Sequence, residues 1–120
     1  MNETGRAGEE SAAHWLEQHG MRVLDRNWRR GRNEIDLIVQ DGSTIAFVEV
    51  KTRRLGPGGT PATAVHAAKR GRLIRAAAAW IADHPGAGRE FRFDLMEITN
   101  VPGGAPLVDH CPDAFVSDAS

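Results

Sequence analysis

The chain has 120 residues, 41% of them hydrophobic and 26% charged, with a net charge of −1. That suffices for one domain around a single core, and no apolar run approaches the roughly 20 residues needed to cross a bilayer. The opening residues, Met1 to Arg6, lack the apolar stretch of a secretory signal, and a lone Cys111 cannot form an internal disulfide. A reducing cytoplasm is therefore the expected compartment, with no membrane partner.

In chain order, the first predicted element is a helix. Glu9, Ala12, Ala13 and Leu16 recur at helical spacing, and Gly20 stops it. A strand over Met21–Trp28 follows, then an Arg-rich turn over residues 29–33. Two strands, Glu34–Gln40 and Thr44–Lys51, are joined at Asp41-Gly42, a hairpin signal. A Gly- and Pro-rich loop runs from Arg53 to Pro61. A long helix over Ala64–Asp83 buries Leu73, Ile74, Ala77, Trp80 and Ile81, and Pro85-Gly86 ends it. A fourth strand, Glu90–Ile98, sets Phe91, Phe93 and Leu95 against Arg92, Asp94 and Met96. Leu107-Val108 is a short fifth strand, and the domain is expected to span residues 1–116 with 117–120 as a tail. This order predicts an α/β fold, a mixed sheet with helices on its faces.

Charge is unevenly spread. Between Arg22 and Arg75, 12 basic residues stand against 5 acidic ones, a surplus of +7, while the flanks carry −8. A basic middle suits a polyanionic partner.

Three acids interrupt this basic span or its neighbourhood in apolar surroundings, where an unpaired charge is costly. Asp36 lies within Glu34–Val39, and Glu49 lies within Phe47–Lys51. With Asp41-Gly42 as a two-residue loop, Asp36 faces Phe47, Glu34 faces Glu49, and Asp36 and Glu49 become diagonal neighbours on one pleat face with Lys51. A three-residue loop would separate them. Glu9 extends the buried stripe of the first helix by one turn and points to the sheet; Glu10 is rotated by roughly 100°. Two carboxylates about 5 Å apart repel by roughly 3 kcal/mol at an effective dielectric near 20. A proton or a hard cation relieves this, and an all-oxygen set suits Mg²⁺ or Mn²⁺ better than zinc. An isolated Glu-x-Lys is common on solvated strands. It is Asp36 at hairpin distance and Glu9 on a core stripe that turn the reading toward a metal site.

Taken in order, Gly8-Glu9, Arg26-Asn27-Trp28-Arg29, NEIDLI at 33–38, FVEVKTR at 47–53, Lys69 and Arg92-Phe93-Asp94 resemble the YraN family of bacterial proteins. More broadly they resemble the PD-(D/E)xK nucleases, which include archaeal Holliday-junction resolvases. The resemblance covers nearly the whole chain, with one departure: Asn33 stands where YraN-type chains read Gly. It implies a single-domain restriction-endonuclease-like core (αβββαβ), with Glu9, Asp36 and Glu49 as metal ligands and Lys51 beside the attacking water. The expected chemistry is Mg²⁺- or Mn²⁺-dependent phosphodiester hydrolysis on nucleic acid, DNA favoured over RNA, in repair or recombination. The Val50 carbonyl would complete the ligand set. Arg29, Arg30, Arg32, Arg53, Arg54 and Lys69 would follow the phosphate backbone. A homodimer would suit a branched substrate; the Ala76–Ala79 face would either allow close helix contact between copies or pack on its own sheet. The alternative is a module of the same fold that binds nucleic acid without cutting it.

Overall fold

A computed structural model describes residues 3–54, 67–88 and 90–115, with side chains at 7–53, 70–88 and 90–114. The elements are α1 (Glu3–Gln18), β1 (Arg22–Arg30), β2 (Asn33–Asp41), β3 (Thr44–Arg54), α2 (Ala67–Asp83), β4 (Glu90–Asn100) and β5 (Leu107–Phe115). The strands form one sheet in sequence order; β3 and β4 run parallel, and the other neighbours are antiparallel. This is the expected αβββαβ order with a strand added at the edge. No helix among the described residues is long and apolar enough to cross a membrane.

Among the described residues, each face of the sheet carries one helix. Under α1, Ala12, Ala13 and Leu16 pack on Leu37, Val39, Ala46, Val48, Met96 and Ile98. Under α2, Leu73, Ala76, Ala77 and Trp80 pack on Ile35, Ile38, Ile45, Phe47 and Phe93. Ala76 and Ala77 thus bury against their own sheet. The predicted start of α2 at Ala64 lies outside the described residues.

Three expectations need correcting. The hairpin loop is Gly42-Ser43, with Asp41 paired to Thr44 and Ile38, not Asp36, opposite Phe47. Gly42 has φ 62° and comes first in the loop, which fits a type II′ turn in place of the type I′ turn that Asp-Gly suggests. The register slips by two residues, so face parity survives. On β4, Phe91 is 41% exposed whereas Met96 is fully buried. β4 lies between β3 and β5 with a helix on either side, so both of its faces contribute to cores and simple alternation fails. Finally, β5 extends to Phe115 where two residues of strand were expected.

Asn33 lies in regular strand. The left-handed residue of the preceding turn is Gly31, at φ 62°, so the turn does not depend on a glycine at 33.

Candidate functional site

The β2–β3 ladder runs from Asp41–Thr44 to Leu37–Val48 and stops there. Beyond it, the Asp36 side chain takes over: the Val50 N–H donates to Asp36 Oδ2 at 2.8 Å. Continued in register, Asp36 would face Glu49 directly. Alternation on β2 also breaks here, because Ile35 and Ile38 share one core while Leu37 and Val39 lie in the other. The same discontinuity occurs across the ladder on β1. Asn27, between Arg26 (paired with Leu37) and Trp28 (paired with Ile35), has φ 51°, a conformation that Asn tolerates better than most residues.

Asp36 and Glu49 line one cavity of about 170 Å³ together with Glu34, Arg32, Arg72 and Leu73. Glu49 is only 4% exposed. Glu9 comes from α1 and joins the group: its carboxyl is hydrogen-bonded by the Asn27 side chain and shares a hydrogen bond with Asp36. Gly8 permits this approach, since a Cβ there would collide with the Thr52 hydroxyl of β3.

These surroundings favour protons. Burial, then the Glu49 charge, pushes the Asp36 carboxyl up to about 8, against the Val50 N–H, which acts to lower it. Burial also raises Glu9, assisted by the Glu34 and Glu49 charges and opposed by the Asn27 hydrogen bond. Two buried oxygens, Glu9 Oε1 and Asn27 Oδ1, have no hydrogen-bond partner among the described residues. Such atoms are acceptors that a cation would satisfy.

Among the described residues, no three His, Cys, Asp or Glu side chains already form a group spaced to hold a metal ion. The carboxylates converge without being drawn into a cage. Their oxygen-only chemistry, the raised Asp36 and Glu9 carboxyls and the two unpartnered oxygens nonetheless fit a hard divalent cation.

The other predicted residues are dispersed. Lys51 follows Glu49 on the same pleat face and lies opposite Glu97 of β4. Arg32 lines the cavity. Arg29 pairs with Glu34 at 2.7 Å, and Arg30 pairs with Asp83 and covers the Trp28 ring at 5.4 Å. Arg53 turns toward Glu97 and Thr99 of β4. The side chains of Arg54 and Lys69 lie outside the described residues. Sequence reasoning missed Asn27 and Arg72 as members of the site. A polar residue in mid-strand marked Asn27, and Arg72 had only its place beside the core residue Leu73 to signal it.

It also missed a second polar cluster. Asp94 is fully buried on β4, bonded by Arg92 at 2.9 Å, by His110 Nε2 at 2.8 Å and by the Asp113 N–H at 3.0 Å. Arg92 also reaches Asp41 at 3.1 Å. The cluster ties β5 to β4 and to the β2–β3 hairpin.

A "UPF0102 protein" of Nocardia farcinica is 46% identical over 111 residues, 92% of this chain and 87% of its own length. One from Anaeromyxobacter dehalogenans is 43% identical over 114 residues, 95% of this chain and 84% of its own length. Among solved structures, "The structure of Pyrococcus Furiosus SfsA in complex with Ca2+" is similar at a TM-score of 0.48 and 13% identity, covering 89% of this chain and 63% of that chain. The model of "Uncharacterised protein family UPF0102" matches residues 8–98, a span holding every proposed ligand and Lys51. The chain belongs to that family, the YraN family its motifs resemble.

Proposed function

We propose that this protein is a divalent-cation-dependent phosphodiesterase acting on nucleic acid, with DNA the favoured substrate and the bacterial cytoplasm its place of action. The observation that carries the reading is the meeting of Asp36, Glu49 and Glu9 at a break in the sheet, where burial and neighbouring charge raise the Asp36 and Glu9 carboxyls. Asp36, Glu49 and the Val50 carbonyl would hold Mg²⁺ or Mn²⁺, with Glu9 beside them. Such an ion, when bound, supplies an activated water and neutralises charge building on the phosphate oxygens.

The chain's own residues do the rest. Lys51, on the pleat face of Glu49, would orient the attacking water or, in its neutral form, accept its proton. The Val50 N–H fixes the Asp36 carboxylate, so one oxygen has a set direction before any ligand arrives. Arginines near the cavity attract the phosphate backbone and carry no base code. A role in repair or recombination, with two copies acting on a branched DNA, would use the same site twice.

The test incubates purified protein with Mg²⁺ or Mn²⁺ and labelled linear, flapped and four-way-junction DNAs, beside Asp36→Asn and Lys51→Ala. Cation-dependent cutting that both substitutions abolish is the expected result. A second reading, binding without cleavage, draws on the carboxylates not being arranged as a cage. Salt-sensitive gel shifts with no cutting under any cation would establish it and refute the phosphodiesterase.

A further inference from the structure

The arginines of the basic middle of the chain differ in their partners. Arg29, Arg30 and Arg53 are each bound to a carboxylate of the protein. Arg32 and Arg72 line the cavity beside Glu34, Asp36 and Glu49, yet among the described residues neither is held by an ion pair or hydrogen bond. Both are exposed. Two cations left at the mouth of a carboxylate cavity are placed for a ligand that brings its own negative charge.

Their backbones come from different elements. Arg32 follows Gly31 in the β1–β2 turn, and β2 begins at the next residue. Arg72 precedes Leu73, which is 2% exposed and packs on the sheet, so that stretch of α2 is anchored although the side chain is not. The cavity between them is about 170 Å³, several times the roughly 30 Å³ that a water occupies in the liquid. A guanidinium offers a planar fork of donors matched to phosphate oxygens, which a lysine does not.

We infer that Arg32 and Arg72 form a two-sided phosphate clamp, positioning a nucleic-acid strand with one phosphate over the Asp36–Glu49 pair. This rests on the proposed nucleic-acid function and adds to it a specific role for Arg72. The clamp predicts that binding depends on these two arginines far more than on equally exposed ones elsewhere. Arg22, at the far end of β1 opposite Gln40, is the comparison.

The experiment measures fluorescence polarisation of a 5′-fluorescein-labelled single-stranded DNA on Asp36→Asn protein, which removes cutting from the readout. Arg32→Gln and Arg72→Gln are each expected to weaken binding about tenfold and to reduce the salt dependence by about one phosphate contact. Arg72→Lys should recover the salt dependence without recovering full affinity, while Arg22→Gln changes affinity by less than about twofold. Effects at Arg32 and Arg72 no larger than at Arg22 overturn the clamp, and full recovery by lysine overturns recognition by the guanidinium fork. Failure here is distinguishable from failure of the phosphodiesterase. Wild type that binds with this pattern but never cuts leaves the clamp standing, whereas wild type that cuts while Arg72→Gln binds normally removes the clamp alone.

Discussion

Asp36 and Asp94 are both aspartates withdrawn from water, and their neighbours drive them in opposite directions. Burial and the Glu49 charge raise Asp36 from 3.8 to about 8. Burial acts the same way on Asp94, but hydrogen bonds from His110 and Arg92 and the Asp113 N–H outweigh it and hold that carboxyl low. The pH consequences follow by linkage. A raised carboxyl gives stability that is complete below pH 3.8 and is lost as pH climbs to about 8, because the folded chain keeps a proton that the unfolded chain releases. Without cations, Asp36→Asn should therefore gain stability over wild type as pH rises between those values, by up to roughly 1.4 kcal/mol per pH unit. Thermal melts at pH 5 and pH 9 check this; an equal gain at both refutes it. Asp94 contributes above the ordinary carboxylate range and loses its contribution as pH falls below it. Asp94→Asn strands Arg92 without its buried counter-charge and should cost about 3 kcal/mol in urea unfolding at pH 7.

At the scale of elements, α1 and β3 meet at a contact that tolerates no side chain. Gly8→Ala sets a Cβ against the Thr52 hydroxyl, so it should destabilise by about 1–3 kcal/mol. Because Glu9 follows directly, cation binding should weaken as well. Thr52→Ala in the same chain removes the clashing oxygen and should restore much of both, as melting temperature and Mn²⁺ titration would show. The limits of the sequence reading also lie in the elements. Gly42 announced a hairpin, but which loop position it fills depends on the turn type, and the register moved with it. The even loop kept the parity of the hairpin, but the alternation break between Ile35 and Leu37 means that loop parity alone does not set the face of Asp36. β5 was legible only at Leu107 and Val108 because Asp109, His110, Pro112 and Asp113 break its apolar pattern. Its attachment comes from its ladder with β4 and from the Asp94 cluster, both contacts between segments distant in sequence. The break near Asn27 and Asp36 was beyond periodicity, since it is a departure from the pattern that periodicity assumes.

Over the whole molecule, α1 and α2 cover opposite faces of the sheet, and that architecture was readable because the elements other than β5 are long and strongly patterned. The unequal charge along the chain takes on a finer meaning in three dimensions: several basic residues neutralise the protein's own acids, and Arg32 and Arg72 remain at the cavity. Proton and cation compete for the Asp36 carboxylate of that cavity. Added Mn²⁺ should raise the melting temperature more at pH 8 than at pH 5, and Glu49→Gln should abolish most of the rise. The most direct test is calorimetric titration of wild type and Asp36→Asn with Mn²⁺ at pH 7, repeated in buffers of different ionisation enthalpy to count protons. The account predicts saturable binding with up to about one proton released per ion, less release at pH 9, and loss of the site in Asp36→Asn. Equal binding by both proteins, or no saturable binding by either, would contradict it.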